Sequence, residues 1–236
     1  MLQIVEFGTM NGQVGIGNRG IVSNPSNSNV CNFVTGSTSL LGNASGHAET
    51  TQANVNGNII NNTTDGYRAI SYRGMENPWG NIWQMIPGVN IVGNGSANGG
   101  TPYICTDYNY NYSSVGSNYE SIGFALPGSY KWISAMGQCN DKYDWIFLPI
   151  ECTSAANSFL PIGDSIWTVN GLNGINILVY GGSYGFGEEC GPFCYGTDRN
   201  ASESALPKYG AKLMYIPTKN ATYTANIAKW INYMGG

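Results

Sequence analysis

Charge is what this sequence has least of. Only 10% of its 236 residues are Asp, Glu, Lys or Arg, against roughly a quarter in an average soluble protein. With 10 basic and 14 acidic side chains and a net charge of −4, there is no basic stripe to follow a phosphate backbone, which argues against nucleic-acid binding. No stretch approaches the roughly 18 apolar residues of a membrane span. Met1-Leu2-Gln3-Ile4-Val5-Glu6 has neither the basic start nor the apolar run of a secretion signal, so no membrane insertion is expected. Histidine is nearly missing too. His47 is the single one, and it reads as a loop residue, not a metal ligand or a catalytic base; no metal and no cofactor is expected.

What the chain does hold is Gly, Asn, Ser and Tyr, including 33 glycines and 16 tyrosines. Gly and Asn tolerate positive φ, and Tyr packs one face while hydrogen-bonding at its tip, so the mixture suits short strands joined by turn-rich loops. The same residue types populate antibody paratopes. Six cysteines stand at 31, 105, 139, 152, 190 and 194, yet a domain this large hardly needs disulfide stapling. Cys31, Cys105, Cys139 and Cys152 read as free thiols. Cys190 and Cys194 lack the two further clustered ligands that a zinc site requires.

Three parts are expected. Residues 1–22 form a helical lead-in, with Met1, Ile4, Val5, Met10 and Val14 at helix-compatible spacing. Residues 23–216 form the main domain, polar up to Asp65 as loops joining short strands or as a disordered linker, then core-like from Tyr67 to Val92. Residues 217–236 form a tail in which Ile227, Trp230, Ile231 and Met234 make one stripe on a short amphipathic helix. Strand candidates are Ser129 to Ile133, Asp144 to Pro149, Asn176 to Tyr180 and Lys212 to Ile216. Tyr108-Asn109-Tyr110-Asn111-Tyr112 is either an edge strand with its tyrosines on one face or a sticky exposed loop. The fold class expected is α+β.

Two segments carry a resemblance. Trp79-Gly80-Asn81-Ile82-Trp83 resembles the Gly-Asn-Val-Trp-Glu-Trp signature of the formylglycine-generating enzyme (sulfatase-modifying factor) family and its non-enzymatic relatives. Val179-Tyr180-Gly181-Gly182-Ser183-Tyr184, followed after a polar insert by Lys208-Tyr209-Gly210-Ala211-Lys212, is similar to that family's closing pattern. The opening Val5-Glu6-Phe7-Gly8-Thr9-Met10-Asn11-Gly12-Gln13 looks like the lead-in of phage structural proteins. The resemblance implies a C-type-lectin-like fold with short antiparallel strands, one or two short helices and long loops. It also implies a phage virion protein similar to retroelement-diversified variable proteins. Trp79, Gly80, Asn81, Trp83, Gly181 and Gly182 are then its structural core motif.

The enzymes of that family place two copper-binding cysteines after the Gly-Gly-Ser-Tyr segment, where this chain has Cys190 and Cys194. Here the spacing differs, and Glu188 and Glu189 next door would raise a thiol pKa by like-charge repulsion. A copper-dependent oxidase is therefore the distant alternative, and no catalytic residue is expected. What remains is a binder whose insert displays Tyr184, Phe186, Glu188, Glu189, Tyr195, Asp198, Arg199, Glu203 and Tyr209 among small residues. The expectation is a receptor-binding or adhesin module at a tail or fibre tip, meeting a protein or glycan on the host surface. The alternative is a capsid or tail decoration contacting other virion proteins. A homo-oligomer, most naturally a trimer, would multiply weak sites by symmetry.

Overall fold

The computed structural model describes residues 32–33, 35–50, 52–55, 58–61, 67–128, 131–139, 141–154, 160, 162–183, 186, 189–200 and 208–210. Among these the fold is built of strands. Helical geometry is limited to short 3-10 turns, at Ser39–Leu41, at Asp141–Tyr143 and at Glu189. The expectation of an α+β fold with one or two short helices, drawn with the C-type-lectin-like resemblance, is thereby corrected to a mostly β fold. The physical reason lies in the composition: Gly, Asn, Thr and aromatic residues are weak helix formers and favour turns and pleated, half-buried surfaces. The lead-in 1–22, the strand candidate Lys212 to Ile216 and the stripe Ile227 to Met234 lie outside the described residues. No helix among the described residues is long and apolar enough to cross a membrane.

Two three-stranded sheets are formed between Asn32 and Glu76. One has β1 (Asn32–Phe33), β3 (Gln52–Val55) and β4 (Asn58–Asn61) in the order β1-β3-β4; the other has β2 (Gly46–Thr50), β5 (Tyr67–Tyr72) and β6 (Met75–Glu76) in the order β2-β5-β6. His47, read from sequence as a loop residue, stands on β2 opposite Ile70. The Glu76 carboxylate accepts hydrogen bonds from the backbone of Gly36 and Thr38, tying the 35–42 turn to this sheet.

The main sheet has nine strands. Its path runs through β11 (Phe147–Thr153), β10 (Lys131–Gln138), β12 (Ser165–Trp167), β14 (Tyr195–Arg199), β13 (Asn173–Tyr180), β7 (Trp83–Asn94), β8 (Thr101–Cys105) and β9 (Tyr119–Ser121), with β15 (Tyr209–Gly210) added beside β7. The pairings β12–β14 and β7–β15 are parallel. Side-chain alternation sorts the core onto two faces. Leu178 of β13 joins a large cluster with Ile91, Ile104, Ile122, Leu126, Ile133, Leu148 and Ile166. Its neighbours Ile177 and Val179 join Trp83 and Cys194 on the other face.

The two ends of the sheet curl towards each other. Lys142, in the turn ahead of β11, places its ammonium 2.6 Å from the Glu120 carboxylate of β9. The Tyr143 hydroxyl donates to the same carboxylate at 3.0 Å. Among the described residues no backbone pairing joins β9 to β11, so the curled sheet is an incompletely closed barrel whose seam is bridged by side chains.

Candidate functional site

A concavity of about 610 Å³ opens at this seam. Its first wall is a local defect in β7. Met85 and Asn90 of β7 face Val179 and Ile177 of β13, so Ile86-Pro87-Gly88-Val89 bulges out of the ladder opposite the single residue Leu178. The bulge follows from the sequence. Pro87 has no N–H to give to a ladder, and Gly88 takes φ +79°, a left-handed conformation that side chains resist. A Cβ on Gly88 would stand 2.7 Å from the Tyr110 ring, so the missing side chain is what lets that ring lie down on the bulge.

The second wall is the loop between β8 and β9, which carries Tyr108, Tyr110 and Tyr112. It has no strand pairing, which settles the open reading of that segment in favour of an exposed loop. The loop is nevertheless held firmly. The Asp107 carboxylate accepts from the Asn109 backbone at 3.0 Å and from the Asn118 amide at 2.8 Å. The Tyr119 hydroxyl accepts from the Asn111 N–H and donates to the Asn111 carbonyl. From the central strand, the buried Asn90 amide donates to the carbonyls of Asn111 at 2.6 Å and Ser114 at 3.2 Å. Asp107 is held below its usual carboxylate range, first by the Asn118 hydrogen bond and then by the Asn109 backbone.

The third wall is the segment Lys142 to Leu148. Trp145 and Phe147 line the cleft and are 70% and 48% exposed, and Tyr108, from the second wall, is 65% exposed. Isolated surface apolar residues need no explanation, but three large aromatics around one cleft do. The floor is Leu178, Ile104 and Tyr195, the last with its hydroxyl pushed up to about 12, first by burial and then by Asp164. The charge of Lys142 is matched by Glu120, which holds the ammonium pKa up.

The residues singled out from sequence fall elsewhere, Tyr195 excepted. Phe186, Glu189, Asp198 and Tyr209 line a smaller cleft of about 330 Å³ with Trp83, Trp167 and Lys208, on the face of Ile177 and Val179. Phe186 is wedged edge-on between Trp83 at 5.2 Å and Trp167 at 5.3 Å. Arg199 lies 4.8 Å over the Tyr209 ring and 3.7 Å from the Asp198 carboxylate, so both are half-buried instead of displayed. Burial raises Glu189, and pushes Tyr209 up to about 12. Tyr184, Glu188 and Glu203 lie outside the described residues.

The structural motif residues meet in space. The Gly80 N–H donates to the Gly181 carbonyl at 2.8 Å, and the Gly181 N–H donates to the Cys194 carbonyl at 2.7 Å. Trp79 and Trp83 are buried and Asn81 is half-buried. Gly181 and Gly182 both have positive φ, and a Cβ on Gly182 would strike the Cys190 sulfur. Cys190 and Cys194 are free thiols with no exposed surface. Burial pushes both well up, and Asp164 adds to the effect on each. Asp164 itself is fully buried and raised to about 7 by desolvation, against one opposing hydrogen bond from the Phe193 N–H. Glu151 is exposed on β11, so the two carboxylates do not share an environment.

Sequence reasoning missed Trp145, Phe147 and the Ile86–Val89 bulge as site components. The available signals were the apolar triplet Trp145-Ile146-Phe147 directly after Asp144, and Pro87-Gly88 interrupting an otherwise continuous strand pattern. Comparison with protein-family models, curated proteins and solved structures found no match for this chain.

Proposed function

We propose that this chain is a non-enzymatic recognition module of a phage particle that takes its ligand in the cleft at the barrel seam. The observation that carries the reading is the cleft's combination of size, aromatic rim and a loop fixed before any ligand arrives. At about 610 Å³ it falls within the roughly 300–1,000 Å³ of small-molecule sites, which favour apolar walls and the mouths of barrels. Rigid aromatic side chains give contact area at low entropic cost, and a pinned loop avoids the ordering penalty. The absence of an enzyme activity is supported by the state of Cys190 and Cys194, since a nucleophilic or metal-ligating cysteine acts as a thiolate and burial here favours the neutral thiol. The virion setting rests on the resemblance of the opening segment to phage structural proteins.

The test is adsorption of the labelled protein to a panel of bacterial cells. Trp145→Ala combined with Tyr108→Ala should lower binding at least tenfold while leaving the unfolding midpoint in place, because both side chains are exposed. Glu189→Gln in the second cleft should leave adsorption intact. Loss of adsorption in Glu189→Gln with retention in the aromatic double variant would move the binding site to the other face of the sheet.

A further inference from the structure

Resting on the reading of the seam cleft as the binding site, we infer that its ligand is an uncharged small molecule with a flat apolar body, seated by one hydrogen-bond acceptor on the Tyr195 hydroxyl.

Charge is the first discriminator. Among the described residues, Lys142 is the one charged side chain lining the cleft, and its ammonium is held at 2.6 and 2.7 Å by both oxygens of Glu120. An anionic ligand would have to take Lys142 from that carboxylate, and a cationic one would enter without a counter-charge. Either would lose hydration without repayment. Apart from Cys105 and Thr106 the described walls are otherwise aliphatic and aromatic, with a glycine, and they favour a ligand that is mostly apolar.

Shape is the second. Trp145, Phe147 and Tyr108 line the cleft with much of their surface exposed, while the Tyr110 ring covers the Gly88 bulge. Aromatic rings around one cleft accept a planar body by offset stacking or edge contact, at ring separations of roughly 4.5–7 Å.

The third observation is at the floor. Tyr195 packs its ring against the main core cluster and lines the cleft. Its hydroxyl makes no hydrogen bond to any described residue, and it is not among the polar atoms sealed from solvent. The hydroxyl therefore opens into the cleft as an unused donor beneath apolar walls. A carbonyl or ether oxygen on the ligand satisfies it, and the raised pKa keeps the proton in place to donate. A neutral sugar fits this arrangement less well, since it brings several hydroxyls to a site with one donor at its base.

Nile red, an uncharged fused-ring dye with one carbonyl, is the direct probe for the full-length protein. Saturable one-to-one binding with blue-shifted emission is expected. Trp145→Ala should weaken it about tenfold or more. Tyr195→Phe, which removes only the hydroxyl, should weaken it about five- to tenfold, the equivalent of one neutral hydrogen bond. The anionic dye anilinonaphthalene sulfonate should bind far more weakly. Equal binding of the anionic dye, or Nile red affinity unmoved by Tyr195→Phe and Trp145→Ala, would overturn the inference. If Nile red fails while the Trp145 and Tyr108 variants still abolish adsorption to cells, the ligand class is wrong and the site is right. If Nile red behaves as expected while adsorption ignores both variants, the cleft binds such molecules but is not the adsorption site, and the inference falls as a statement about the recognised ligand.

Discussion

Asp164 holds a carboxyl where water does not reach. One of its oxygens accepts the Phe193 N–H at 2.7 Å and the other has no partner, while Gly191 presses so closely that any side chain there would collide with the carboxyl. Desolvation raises its pKa from 3.8 to about 7, so the fold prefers the protonated form. The contribution to stability is complete below pH 3.8 and is lost as pH rises towards 7, at about 1.4 kcal/mol per pH unit for a single group. Asp164→Asn should flatten the decline of the denaturation midpoint between pH 4.5 and 7; an unchanged slope would show that the carboxyl is not the source. Trp83 is the corresponding apolar case. At 2% exposure, packed on Val179, Cys194 and Phe186, it should cost about 3 to 5 kcal/mol as Trp83→Ala, measured by chemical denaturation. Both tryptophans of the Trp79-Gly80-Asn81-Ile82-Trp83 segment were legible as core from sequence, because two large aromatics so close together with no ligand between them need burial. Asp164 was not, since nothing local marks a carboxylate whose cage is built by Gly191 and Phe193.

At the level of elements, the strand candidates Ser129 to Ile133, Asp144 to Pro149 and Asn176 to Tyr180 overlap β10, β11 and β13. The helical spacings were read in segments 1–22 and 227–234, where no described residue bears on them. Elsewhere the backbone is decided by long-range pairing, as in β7, whose partner β13 lies about ninety residues further along the chain. Such pairing leaves no local periodicity to read. The loop between β8 and β9 shows the same dependence on distant partners, because its anchor Asn90 belongs to the central strand. Asn90→Ala should remove two hydrogen bonds and a small buried volume, costing about 1 to 3 kcal/mol. It should also speed amide exchange through residues 106–118 ahead of β13. Exchange there at the original rate would mean that Asp107 and Tyr119 suffice to hold the loop.

For the whole molecule, the cleft exists only because the ends of one sheet approach each other, and its walls come from five separate stretches of chain. That explains why the sequence pointed to the insert after Gly182 and not to the seam: the insert is contiguous, the seam is not. The closure is electrostatic at its edge. Glu120 is held below its usual 4.5, first by the Lys142 hydrogen bond and then by that of Tyr143, and Asp107 below its usual 3.8. Groups depressed in the fold contribute above their unfolded pKa values, and that contribution fades as pH falls through the folded ones. Acidification therefore acts in opposite directions on the two parts of the protein. From pH 7 down to the usual 4.5 of a glutamate the core around Asp164 gains stability while the seam is unchanged. As pH falls further, through the depressed values of Glu120 and Asp107, the Glu120–Lys142 bridge and the Asp107 contacts are lost, and the lips of the cleft loosen over an intact core. Hydrogen exchange at pH 3 should show faster exchange in Tyr119–Ser121, Asp141–Tyr143 and the 106–118 loop than in β7 and β13, after correction for intrinsic rates. The exposed bridge should also respond to salt at pH 7, where screening weakens it. Uniform acceleration across the main sheet at low pH would show that the seam is not a separable unit, and that closure of the barrel depends on the core alone.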